Sequence, residues 1–180
     1  MRYRQITRTA ILIAVCVVLG YLFLPVPNLE MISAGVFICG IWMGPRTGWL
    51  IGFLAEAIFS LSNPMGFPPP PLLAAQVLGM SLVGLTGGLL RRLLLDDGFF
   101  SRRGWPRHLL LGAAGLLLTI VFDLLTTISF PLTAGFSLQQ IQVALAFGLP
   151  FTLIHQAANA LIFALVVPLI INRLPAWRNP

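Results

Sequence analysis

Four hydrogen-bonding side chains interrupt strongly apolar stretches of this 180-residue chain: Glu56, Gln76, Asp123 and His155. The spacing around them is helical. Asp123, Thr126 and Thr127 stand at i, i+3 and i+4, His155 and Asn159 at i and i+4, and Glu56 shares a polar stripe with Ser60 and Asn63. Gln156 follows His155 but points about 100° further round the helix, so both reach one cavity only if that helix is well embedded. A few polar atoms in an apolar wall suit capture of a small molecule, since the wall supplies burial and the polar atoms fix orientation. Catalysis has no comparable signal: there is no GxSxG, no HExxH and no second carboxylate at a spacing that argues for it, so no catalytic residue is assigned.

Six apolar runs position these groups: Thr9 to Leu24, Met31 to Gly44, Thr47 to Leu61, Leu72 to Leu95, Leu109 to Phe130 and Pro150 to Asn172. Charged residues make up only 9% of the chain and mean hydropathy is +0.94, where a soluble domain carries about a quarter charged residues. The composition therefore predicts an all-α membrane protein, a single transmembrane unit over 1–180. The first three runs are short for a hydrocarbon layer that needs about 20 residues, so they must use their flanks, lie buried among neighbours, or end elsewhere. All 11 basic side chains are arginine, and one zigzag puts every one of them on one side. Arg2, Arg4 and Arg8 precede the first span, Arg46 lies in the second-to-third turn, Arg91, Arg92, Arg102, Arg103 and Arg107 flank the fourth-to-fifth loop, and Arg173 and Arg178 follow the last span. Cytoplasmic loops retain positive charge, which predicts six spans with both termini cytoplasmic. On that topology Glu56, Gln76, Asp123 and His155 each lie within roughly 10 Å of the outer end of their span. An ionisable group there costs several kcal/mol unless paired or used.

The formal charge of +6 reflects this topology and contact with anionic lipid; the arginines are dispersed over loops and not massed on a nucleic-acid-binding face. The basic, apolar N-terminus has no small-residue cleavage site after it and is expected to be an uncleaved first helix. Cys16 and Cys39 each sit within a span without a second ligand at metal spacing, so they read as packing residues, and no metal or cofactor is expected. Gly40 and Gly44, Gly48 and Gly52, and Gly84 and Gly88 are GxxxG pairs suited to close helix packing; Ala10 and Ala14 form a similar pair on the first helix. The outer loops are proline-braced. Leu24 to Glu30 holds the one acid outside the spans on that side, and Asn63 to Pro71 ends in four prolines that predict an extended path poised over the polar groups. Ser137 to Gly148 predicts a short surface helix, with Pro150 opening the last span. Phe67, Trp49 and Phe130 are able to stack on a planar ring or to anchor at the interface.

The Ala10-Ile11-Leu12-Ile13-Ala14 element, the Pro27-Asn28-Leu29-Glu30 turn, the Asn63-Pro64-Met65-Gly66-Phe67-Pro68 loop and the polar outer half of the sixth run resemble the substrate-binding S component of energy-coupling factor (ECF) transporters. The likeness covers essentially the whole chain. It implies a multi-pass protein of a bacterial or archaeal cytoplasmic membrane that captures a vitamin or related micronutrient and docks on a transmembrane coupling (T) subunit carrying two ATPases. Ala10 and Ala14 would be the docking surface. The resemblance matches ligand contacts to Asp123, Thr127, His155, Gln156 and Asn159, beside Glu56, Phe67 and Gln76, and it makes the proline loop a lid. It further implies that the whole body topples in the membrane, so that Glu30 is expected to be neutralised, paired or kept at an interface. No GxxxxGK[ST] loop is present, so ATP hydrolysis falls to partners. Two readings compete: a self-sufficient carrier working as an oligomer, and an intramembrane protease suggested by Phe151-x-x-x-His155 and His155-x-x-x-Asn159, which lacks the paired-Glu motif of such enzymes.

Overall fold

The computed structural model describes residues 2–95, 100 and 104–173; Arg102, Arg103 and Arg178 lie outside the described residues. Six helices follow one another: α1 (Arg2–Phe23), α2 (Ile32–Met43), α3 (Pro45–Leu61), α4 (Pro70–Leu95), α5 (Trp105–Thr133) and α6 (Leu138–Arg173). Among the described residues α1, α4, α5 and α6 are long and apolar enough to cross a membrane. The first helix begins seven residues before the apolar run does, because Arg4, Gln5 and Arg8 are good helix formers that extend it into the polar zone. At 12 residues α2 stays short, and nine of them are buried, so its neighbours and not lipid surround it.

The packing partners fix how the helices run. Gly48 of α3 meets Gly84 of α4, Gly52 meets Met80, and Ser60 reaches Gln76, so these two are antiparallel. Arg107 with Asn172, Gly115 with Phe163 and Asp123 with His155 make α5 and α6 antiparallel as well. Ser33 with Met80 and Gly40 with Gly88 make α2 and α4 parallel. Glu30, Ser60, Gln76, Asp123 and His155 therefore collect at one end of the bundle, and Arg46, Arg91, Arg107 and Arg173 at the other.

At the centre α2, α3 and α4 approach backbone to backbone. A Cβ on Gly40 or Gly48 would strike the Gly84 carbonyl oxygen, and one on Gly84 would strike that of Gly48. Side chains are absent from the contact because dispersion between closely apposed backbones, with no hydrophobic drive in lipid, holds such helices together. Gly44 departs from the expected packing pair. A Cβ added to it would meet nothing within 4 Å; at φ 85° and ψ 171° it makes the sharp α2–α3 turn, a conformation open to glycine, and Pro45 then opens α3.

Two further expectations are corrected. The predicted surface helix over 137–148 is not separate; it is the first third of a 36-residue α6 that runs through Pro150. A proline removes one intrahelical donor and bends the helix without having to end it when the freed carbonyl is satisfied elsewhere. Pro168 shows the compensation, since the carbonyl four residues earlier, Ala164, lies 2.6 Å from His108 Nδ1. The four prolines after Phe67 likewise do not form one extended strap: Pro70 and Pro71 belong to the first turn of α4, where a missing N–H costs nothing. Cys16 and Cys39 are both free and buried on facing helices, with their sulfurs 3.8 Å apart.

Candidate functional site

Each polar helix end contributes because its own chain fixes it there. Thr126 Oγ1 bonds back to the Phe122 carbonyl, which leaves Asp123 as the free hydrogen-bonding group on that turn of α5. Asp123 Oδ1 accepts from His155 Nδ1 at 2.8 Å, and Asp123 Oδ2 accepts from Gln156 Nε2 at 3.2 Å. With its proton on Nδ1, His155 presents Nε2 as an acceptor. Asn159, one turn along α6, lies 3.0 Å from that nitrogen and 3.1 Å from Glu30 Oε1 through the same amide nitrogen, whose two hydrogens serve one bond each. Glu30 Oε2 accepts from the Ser33 backbone amide at 3.0 Å, Oε1 accepts from the Ser33 hydroxyl, and Oε1 stands 3.8 Å from His155 Nε2. The chain from Asp123 through His155 and Asn159 to Glu30 thus ties α5, α6 and the start of α2.

A second cluster faces it. Ser60 Oγ lies 2.9 Å from Glu56 Oε1 and 3.2 Å from Gln76 Oε1, while Glu56 Oε2 is buried without a hydrogen-bond partner. Between the clusters is a cavity of about 160 Å³ lined by Glu30, Glu56, Gln76 and His155 together with Ile32, Phe59, Met80 and Phe122. A second space of about 240 Å³ lies under the Leu24–Glu30 turn and shares Glu30, Phe59 and His155 with the first. That turn is held by Val26 N–H to the Phe23 carbonyl at 2.9 Å and by Asn28 at φ 60°, a left-handed position that asparagine tolerates.

Of the residues selected by type and spacing, Glu56, Gln76 and His155 line the cavity, while Asp123, Gln156 and Asn159 stand behind them in the hydrogen-bonded chain. Thr127 is half-buried and lines neither space. Phe67 is 78% exposed on the α3–α4 loop, because Gly66 at φ 118° and the prolines after it turn the chain directly into α4. Glu30, Ser33, Phe59 and Phe122 are members that residue type and spacing do not select. The signal for Glu30 was its isolation as the one acid in an outer loop. Of the three expected outcomes, neutralised, paired or kept at an interface, the structure shows Glu30 with partners in Ser33 and Asn159.

Burial pushes the Glu30 carboxyl up, but the His155 imidazole beside it and the hydrogen bonds it accepts from Ser33 outweigh this and hold the group below the usual carboxylate range. A lowered folded-state value stabilises the fold above the unfolded carboxylate pKa of about 4.3, and the gain disappears as pH falls through the folded value. The difference in thermal midpoint between the native chain and Glu30→Gln in detergent is expected to be level from pH 7 to pH 5 and to shrink below about pH 4.

A partly polar cavity at one end of an apolar helical bundle is an arrangement able to hold a small molecule. A family profile described as the substrate-specific component of ECF transporters matches residues 4–175. The chain belongs to that family. Comparisons with curated proteins and with solved structures gave no match. As an S component the chain is a multi-pass membrane protein and a substrate-binding transporter subunit, in a family that is not enzymatic and whose members associate with T and ATPase components.

Proposed function

We propose that this S component captures a micronutrient of the vitamin class outside the cell and delivers it through a T subunit powered by two ATPases. The observation that carries the reading is the cavity bounded by Glu30, Glu56, Gln76 and His155, at the end of the bundle remote from the arginines. With arginine-bearing ends cytoplasmic, that cavity opens outward, all six helices count as spans, the short α2 being shielded by its neighbours, and the chain forms a single transmembrane unit. His155 and Asn159 orient the ligand, Asp123 and Gln156 hold His155 in place, and Thr127 and Phe67 come into contact when the proline loop closes. Reorientation of the whole body then needs a partner, because a ligand shifts an equilibrium only by its differential affinity.

Docking falls to α1. Ala10 and Ala14 are both exposed, and Ala10 lines an apolar groove shared with Leu50 and Leu54 of α3. Ala10→Trp and Ala14→Trp are expected to abolish copurification with the T subunit while leaving ligand affinity unchanged; retained association rejects the docking face. The function itself is tested by binding to a vitamin panel followed by uptake into liposomes. Tight binding without uptake, until T and ATPase subunits are added, is the expected result. Uptake by this chain alone contradicts it and favours a self-sufficient carrier.

A further inference from the structure

The cavity carries an uncompensated excess of acid. Glu30 and Glu56 both line it, and Asp123 stands directly behind His155. Against these three carboxyl groups the described residues offer one imidazole; Arg46, Arg91, Arg107 and Arg173 stand at the far end of the bundle. Glu56 is 2% exposed, and its Oε2 has no hydrogen-bond partner. A buried acceptor left unpaired in a low-dielectric wall costs several kcal/mol, so that atom, on the cavity wall itself, is a place where a guest supplies something the fold lacks. The rest of the wall is apolar and aromatic. Phe59 and Phe122 line the same space, and aromatic rings attract cations. Among the described residues no group of three or more His, Cys, Asp or Glu side chains is arranged to hold a metal ion.

We infer that the captured molecule is a small organic cation with N–H donors, an amine or amino-substituted heteroaromatic ring, whose nitrogen meets Glu56 Oε2 while its ring packs between Phe59 and Phe122. This rests on the cavity being the substrate site. Gln76, beside Glu56 through Ser60, offers a second polar atom at the same wall and sets the ring's orientation. His155 and Glu30 close the opposite side. The cation supplies the charge that three carboxyl groups lack, and its N–H fills the orphaned acceptor.

The test is equilibrium binding to the full-length chain in nanodiscs, with probes grouped by charge at pH 7. Thiamine and pyridoxamine serve as cations, pyridoxine and riboflavin as neutral molecules, biotin and pantothenate as anions, and calcium and cobalt(II) salts as metals. Small molecules released on denaturing the native preparation are identified in parallel. A cation bound at least tenfold more tightly than any neutral or anionic probe, or a basic amine released from the protein, is the expected result. Glu56→Gln is expected to remove that preference. If this variant does not fold, the ranking on the native chain decides alone. Preference for a neutral, anionic or metal probe, or a released molecule without a basic nitrogen, overturns the inference while leaving the cavity as the substrate site. Binding of no probe, together with no released molecule, removes the substrate-site reading as well.

Discussion

Gly84→Val is expected to leave no monodisperse, cooperatively unfolding protein. A Cβ at this position meets the Gly48 carbonyl oxygen and carbon, and the Val36 side chain stands 3.1 Å away. Overpacking costs about 1 to 3 kcal/mol where flexible side chains yield. Here the obstacle is backbone of α3, itself pressed against α2 through Gly40, so relief requires separating three helices at once. Gly48→Val meets the Gly84 oxygen from the other side and is expected to behave alike. Gly148→Ala is the control: nothing lies within 4 Å of that position on α6, and alanine there is expected to be neutral or to stabilise by up to about 1 kcal/mol. Size-exclusion elution and a thermal unfolding curve in detergent read all three. A well-behaved Gly84→Val with an unchanged midpoint contradicts the backbone contact.

The second large effect is on binding. His155→Ala removes the group that joins the two halves of the polar chain: Asp123 Oδ1 loses its donor while still 8% exposed, and Asn159 loses one of its two acceptors. An unpaired buried charge with its partner removed is costly, about 3 to 5 kcal/mol where a buried pair is broken. Because His155 also lines the cavity, ligand affinity is expected to fall at least about 100-fold, which corresponds to about 2.7 kcal/mol. Asp123 acts through His155, as a positioning residue. Asp123→Asn keeps a polar group beside the imidazole, so its loss is expected to be smaller, about tenfold. Calorimetry on both variants, after confirming an intact elution profile, separates the roles; equal losses would assign Asp123 a direct contact.

Much of this arrangement can be read before any coordinates, and the reasons are physical. Arginine is excluded from apolar spans, so the positions of Arg46, Arg91, Arg107 and Arg173 mark the helix ends that the structure gathers on one side. Glu56, Gln76, Asp123 and His155 stand out because burial in an apolar run is expensive, and the structure does collect them at the opposite end. What is not legible depends on contacts far apart in the chain. Glu30 joins the site by bonding to a residue 129 positions away, and no local pattern announces that. Gly44 and Gly40 look alike as a GxxxG pair, yet one makes a turn and the other a helix contact, a difference set by φ and not by residue type. Pro150 looks like the start of a helix, but α6 passes through it as it does through Pro168. The compensation for Pro168 comes from His108, on another helix. Phe59 and Phe122 are indistinguishable in sequence from the many lipid-facing aromatics around them.

Capture by this S component requires a guest between Glu30, Glu56 and His155. An experimental density map of the chain with its captured small molecule, in nanodiscs, decides this most directly. Ligand density is expected between α3, α4, α5 and α6, with a ligand nitrogen at about 3 Å from Glu56 Oε2. Density at the arginine-bearing end, or on the lipid-facing surface with this cavity empty, would contradict it.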